Sequence, residues 1–149
     1  MTESADRALM ERAIELGRQA RFWAAPNPAV GCVLARDGEV VGSGYTQPVG
    51  QAHAEVMALQ SAVDAQGSTA YVTLEPCSHQ GHTGPCAQSL IDAGVARVVV
   101  AIEDPNPSVS GQGIALLQAA GIVVEVGLLA DQAEQNLAGF LHRMRRGWG

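Results

Sequence analysis

The stretch TLEPCSHQGHTGPC, residues 73–86, holds two of the three cysteines and two of the four histidines, set among glycines and prolines. A third histidine stands upstream in Ala52-His53-Ala54-Glu55. His53, Cys77 and Cys86 would supply one imidazole and two thiolates, a borderline-soft donor set that suits zinc, and three protein ligands leave a fourth tetrahedral position for water. Zinc lowers the pKa of such a water from about 15.7 to about 7. Glu55, two residues beyond His53, is placed to shuttle its proton without being a ligand.

Each fragment has a plainer reading when taken alone. Glu55 by itself is a favourable charge at a helix start, His53 an ordinary half-buried histidine, and Cys32, inside an apolar strand, a core residue. His79 and His82 are alternative ligands in place of a cysteine. Glu75 either orders the cysteine loop through hydrogen bonds or is simply exposed, and the sequence does not choose between them. A Cys77–Cys86 disulfide would close a loop of about ten residues and contribute roughly 2–3 kcal/mol. An odd cysteine count and the reduced thiols expected of a cytoplasmic protein count against it. Taken jointly, H-x-E followed by P-C and a later cysteine is the spacing of zinc deaminases.

The elements that must bring these residues together follow from periodicity. SADRALMERAIELGRQA has Leu9, Ala13, Leu16 and Ala20 at helical spacing. The helix stops at APNP, where proline forbids continuation. AVGCVLA and EVVGSGY are apolar runs joined across Asp37-Gly38, a hairpin signal, so the first two strands are expected to be antiparallel. HAEVMALQSAV reads as a helix with Val56, Leu59 and Val63 on one face, followed by the strand AYVTL. A helix CAQSLIDAG, a strand RVVVAI, a loop EDPNPSVSGQG, a helix IALLQAAG, a strand IVVEVG and a last helix from about Asp131 to Arg145 complete the chain. Strands separated by helices of this length require crossover connections and a parallel arrangement. The expected fold is a three-layer α/β domain with a five-stranded mixed sheet, antiparallel at one edge. In such a sheet strand C-termini and helix N-termini share one edge, which lets His53, Cys77 and Cys86 converge. The partly positive helix ends would help keep both cysteines ionised.

Composition narrows the partners. The 149 residues suffice for one core, and a net charge of −6 argues against a general nucleic-acid or membrane surface. Arg143, Arg145 and Arg146 form the one basic cluster and read as a solvated helix end. The N-terminus MTESADRALMERA carries acids where a signal peptide carries an apolar core, and the longest apolar run is VVVAI. The expectation is a cytoplasmic protein. Six aromatic residues, none in a stacking series, weigh against an RNA surface.

Small cytidine, dCMP and tRNA-adenosine deaminases space their cysteines as C-x2-C, whereas this chain has C-x8-C. With PNPAVGCVLARDGEVVGSGY, HAEVMAL, YVTLEPCSHQGHTGPC and DPNPSVSGQG, it resembles the deaminase domain of the bacterial bifunctional pyrimidine deaminase/reductase of riboflavin biosynthesis, from about residue 7 to residue 146. The resemblance implies a cytidine-deaminase-like α/β/α fold and hydrolytic deamination of 2,5-diamino-6-(5-phosphoribosylamino)pyrimidin-4(3H)-one to the corresponding uracil. Carried over by position, it implies zinc on His53, Cys77 and Cys86, proton transfer by Glu55, and substrate contacts from Asn27, His82, Asp104 and Asn106. Without it, the asparagines and prolines of the two PNP loops would be read as turn formers alone.

Two departures from that family's pattern stand out. His82 occupies a position that is commonly Arg or Lys, which predicts weaker, pH-dependent substrate binding, and Gly84 stands where Pro is common. Family members also usually continue into an NADPH-using reductase domain beyond the segment matching LHRMRRGWG. Residues 1–149 are therefore expected to form a single deaminase domain, with reduction supplied by another chain or a further domain. Self-association is compatible with the edge strands and the apolar face of the last helix. The competing readings are a zinc deaminase for another base or nucleotide, and a non-catalytic, zinc-stabilised binding module.

Overall fold

Helix α1 (Glu3–Ala20) opens with Glu3 and Asp6 in its first turn and closes with Arg18 in its last, charges that complement the helix dipole. It buries Leu9, Met10, Ala13, Ile14, Gly17 and Ala20 as one stripe. The computed structural model describes residues 3–24, 28–48, 52–78, 86–106 and 109–145. Strands β1 (Gly31–Arg36) and β2 (Glu39–Tyr45) form the expected antiparallel hairpin, and both of its turn residues, Asp37 and Gly38, have positive φ (54° and 82°). The order then continues through α2 (Ala54–Ser61), β3 (Thr69–Leu74), α3 (Cys86–Asp92), β4 (Arg97–Ile102), α4 (Gln112–Ala119), β5 (Val123–Val126) and α5 (Ala130–Arg145).

The sheet order is β2-β1-β3-β4-β5. β1 pairs antiparallel with both β2 and β3, while β3–β4 and β4–β5 are parallel. Every residue of β3 is buried, as befits a central strand covered on both faces. Helices α1 and α5 cover one face; α2, α3 and α4 pack side by side on the other. The three-layer mixed α/β fold is thus as expected, with the parallel half supplying one edge of strand ends and helix starts. No helix among the described residues is long and apolar enough to cross a membrane.

One detail of the periodicity reading is corrected. Val56 and Leu59 are only half-buried and Val63 is fully exposed; α2 instead buries Ala54, Glu55 and Ala58. The cause is the surface that α2 packs on. A Cβ at Gly44 of β2 would lie 2.5 Å from the Met57 Cβ and 2.6 Å from the Ala58 backbone nitrogen. The helix therefore rests almost backbone to backbone on β2, along its small residues, and its larger apolar residues lie at the margin. Glu55, in the first turn of the same helix, is buried.

Candidate metal and active site

The three ligand candidates come from three elements that end or begin at one edge of the sheet. His53 is the N-cap residue of α2, in extended conformation. Cys77 lies three residues beyond β3, and Cys86 is the first residue of α3. One potential ligand atom from each lies within 4.8 Å of the others. The His53 Nδ1 is 3.0 Å from the Cys86 Sγ, and the backbone N–H of Cys86 donates to the Cys77 Sγ at 3.3 Å. A second bond, from the Ala87 N–H to the Cys77 carbonyl at 3.0 Å, fastens the start of α3 to the cysteine that follows β3. All three cysteines are free thiols, so the disulfide reading falls. Cys32 is wholly buried in β1, as a core residue should be.

Protons are shared unequally in this cluster. A hydrogen bond from the Cys86 thiol holds Cys77 far below the usual thiol range, at about 4, and His53 and the Cys86 N–H add to the effect. Cys86 is pushed up, because its proton is committed to Cys77 and because burial opposes a second thiolate. His53 is raised chiefly by its bond to Cys77. The helix start thus favours ionisation of Cys77, as expected, but not of Cys86 by itself. Two sulfurs and an imidazole nitrogen this close, whose second thiolate is opposed mainly by the first, form a donor set that a divalent cation completes.

Glu55 lies in the first turn of α2 and is 5% exposed. Burial pushes its carboxyl up to about 7, a further rise comes from the Cys77 charge, and His53 acts in the opposite direction. A carboxyl poised near neutrality within electrostatic reach of the cluster suits a group that must both take and give a proton.

Two further loops carry other residues expected to meet substrate. The described part of the first, Pro28–Val30, is held by Thr46, whose hydroxyl accepts from the Val30 N–H at 2.9 Å and donates to the Pro28 carbonyl at 3.1 Å. Trp23 donates its indole N–H to the Thr46 carbonyl at 2.8 Å and meets Tyr45 edge to face at 5.6 Å. In the second loop, after β4, Asp104 and Asn106 are half-buried, and the Asp104 Oδ1 accepts from the Asn106 N–H at 2.9 Å. Asn27 and His82, also expected to contact substrate, lie outside the described residues, as do His79 and Gly84. Sequence reasoning missed Thr46 altogether and left Glu75 undecided. Glu75 is buried, and both of its carboxyl oxygens accept backbone N–H bonds from the second loop and α4. Only a polar residue at the end of an apolar strand, Thr46 after β2 and Glu75 after β3, hinted at such roles.

Residues 3–102 match the family model for the cytidine and deoxycytidylate deaminase zinc-binding region. Together with the three-layer fold and the His/Cys/Cys group, the match places the chain among the zinc-binding deaminase domains. Within that class it belongs to the diaminohydroxyphosphoribosylaminopyrimidine deaminases of riboflavin biosynthesis. It is 49% identical over 140 residues to the diaminohydroxyphosphoribosylamino-pyrimidine deaminase of Buchnera aphidicola subsp. Acyrthosiphon pisum, an alignment covering 93% of this chain and 95% of that one. Against the riboflavin biosynthesis protein RibD of Escherichia coli it is 56% identical over 144 residues, 96% of this chain and 39% of the other. The solved structure of Acinetobacter baumannii RibD superimposes with a TM-score of 0.94 at 49% identity, covering 97% of this chain and 41% of that one. The chain thus spans about two fifths of the length of these two longer relatives.

Proposed function

We propose that this chain catalyses zinc-dependent hydrolytic deamination of 2,5-diamino-6-(5-phosphoribosylamino)pyrimidin-4(3H)-one, giving 5-amino-6-(5-phosphoribosylamino)uracil and ammonia. The observation that carries the reading is a buried carboxyl, Glu55, set beside a cluster of His53, Cys77 and Cys86 in a chain that matches a dedicated deaminase over nearly its whole length. His53, Cys77 and Cys86 would hold the zinc. When bound, the ion supplies Lewis acidity and lowers the pKa of a coordinated water to about 7. Glu55 accepts a proton from the water that adds to C2 and passes it to the ring nitrogen, then takes the proton of the C2 hydroxyl so formed and delivers it to the amine, which leaves as ammonia as the C2 carbonyl forms. Its burial keeps that proton from exchanging with bulk solvent during the transfer. Asn27, His82, Asp104 and Asn106 orient the ribotide from the surrounding loops.

The setting belongs to the same proposal: a cytoplasmic enzyme whose residues 1–149 act as one deaminase unit, with the reduction step carried by a different domain or chain. The test is ammonia release by purified, zinc-loaded protein given the diamino-pyrimidinone ribotide without NADPH. Release is expected from the wild type, and Glu55→Gln should lower it at least about 100-fold while zinc content and the melting curve stay unchanged. Deamination of cytidine or guanine in place of the ribotide would redirect the reading to another base. A Glu55→Gln protein as active as wild type would exclude the proton-transfer role.

A further inference from the structure

Glu75 follows β3 directly, two residues before Cys77, and is 5% exposed. Three backbone N–H groups converge on its carboxyl. Those of Asp104 and Gly111 donate to Oε1 at 3.0 and 3.1 Å, and that of Ile114 donates to Oε2 at 3.1 Å. Helix α4 has Gly111 at its N-cap, with no side-chain capping bond. Glu75 therefore caps, from a different strand, a helix that cannot cap itself, and its charge sits at the favourable end of the dipole.

The bonds continue outward from there. The Asp104 that Glu75 holds by its N–H in turn accepts from the Asn106 N–H, and the Asn106 carbonyl accepts from the N–H groups of Val109 and Ser110 at 3.0 and 2.9 Å. Contact behind the carboxyl is equally close: a Cβ at Gly113 would lie 1.9 Å from the Pro76 carbonyl oxygen. The end of β3, the Asp104–Asn106 segment and the start of α4 are thus joined through one side chain, immediately beside Cys77.

We infer that Glu75 is a positioning residue for substrate: its carboxylate sets the Asp104–Asn106 segment against the Cys77 end of β3, in the register at which that segment meets the ribotide. This rests on the deaminase reading above and on its assignment of Asp104 and Asn106 to the substrate. Both carboxyl oxygens of Glu75 are engaged by backbone N–H groups of that segment and of α4, so its loss should act on substrate affinity more than on the chemical step.

The test compares the full chain with Glu75→Gln and Glu75→Ala in steady-state ammonia release from the ribotide, with zinc content and thermal melting measured on the same samples. In Glu75→Gln the amide oxygen can keep two of the three bonds, but its NH2 group then faces the Ile114 N–H, donor against donor. The expected result is a KM raised about tenfold, the size of one unsatisfied buried hydrogen bond, with kcat and zinc content near wild type. Glu75→Ala, lacking all three bonds, should raise KM further. An unchanged KM in the folded glutamine variant overturns the inference. So does a joint loss of kcat and zinc, or a failure of both variants to fold, since each would assign Glu75 to support of Cys77 or of the fold alone. A wild type that releases no ammonia is a distinct outcome, which removes the deaminase reading and this inference with it.

Discussion

At the scale of single residues, the cluster owes its character to proton sharing. The Cys77 pKa is held low because the Cys86 thiol donates a hydrogen bond to its sulfur and α3 points an N–H at it. Replacing Cys77 by serine removes both the anionic sulfur and the soft donor, leaving one thiol and one imidazole. We expect Cys77→Ser to lose bound zinc while retaining its far-UV circular dichroism, because the sheet beneath is built from β1, β3 and β4 and not from the ligands. Zinc content by elemental analysis checks this, and stoichiometric zinc in the variant would point to a replacement ligand. His53, Glu55, Cys77 and Cys86 were all legible in the sequence, because donor chemistry is a property of residue type and H-x-E is a local spacing. The role of Glu75 was not legible, because its partners lie 29 to 39 residues away along the chain.

At the scale of elements, helix α2 carries both His53 and Glu55, and its placement depends on the small residues of β2. Gly44→Ala would drive a methyl to within 2.5 Å of the Met57 Cβ and 2.6 Å of a backbone nitrogen, so the helix itself must move. Overpacking of this kind costs about 1–3 kcal/mol. Denaturant unfolding should show that loss, and turnover should fall with it, since a helix displaced from β2 takes Glu55 away from the cluster. A variant of wild-type stability would show that β2 yields instead of α2. Periodicity placed the helix but assigned its buried face to Val56, Leu59 and Val63. Apolar spacing reports which residues could face a core, and it says nothing of how closely a glycine-bearing neighbour lets the backbone approach.

At the scale of the whole molecule, the first helix is tied to the far strands by an ionic network. Asp6 of α1 accepts two bonds from the Arg97 guanidinium, at 3.0 and 2.7 Å, and a third from the Tyr71 hydroxyl at 2.6 Å; Arg97 also pairs with Glu125 of β5. Arg97 holds the Asp6 carboxyl below its usual range. A depressed carboxylate stabilises the fold at any pH above its unfolded value, and that contribution is lost as pH falls through the lower, folded value. Asp6→Asn should therefore cost about 1–3 kcal/mol near pH 7, and the gap from wild type should close as pH falls through the lowered, folded value, where the wild type is protonated as well. Unfolding curves measured across that range check the sign, and a gap that persists in acid would mean that packing, not charge, is what Asp6 supplies.

By itself, the sequence singled out the His53, Cys77 and Cys86 group and the carboxyl of Glu55 beside it, the alternation of strands and helices, and through its motifs the family to which the chain belongs. These are properties of residue type and local spacing, which survive without coordinates. Only the tertiary structure decided that Cys77 and Cys86 remain free beside His53, that Glu55 is buried on a helix seated closely on Gly44, and that Thr46 and Glu75 hold the two loops. Each of those depends on groups from distant segments meeting at one sheet edge, where a buried side chain is given its role by the partners that surround it.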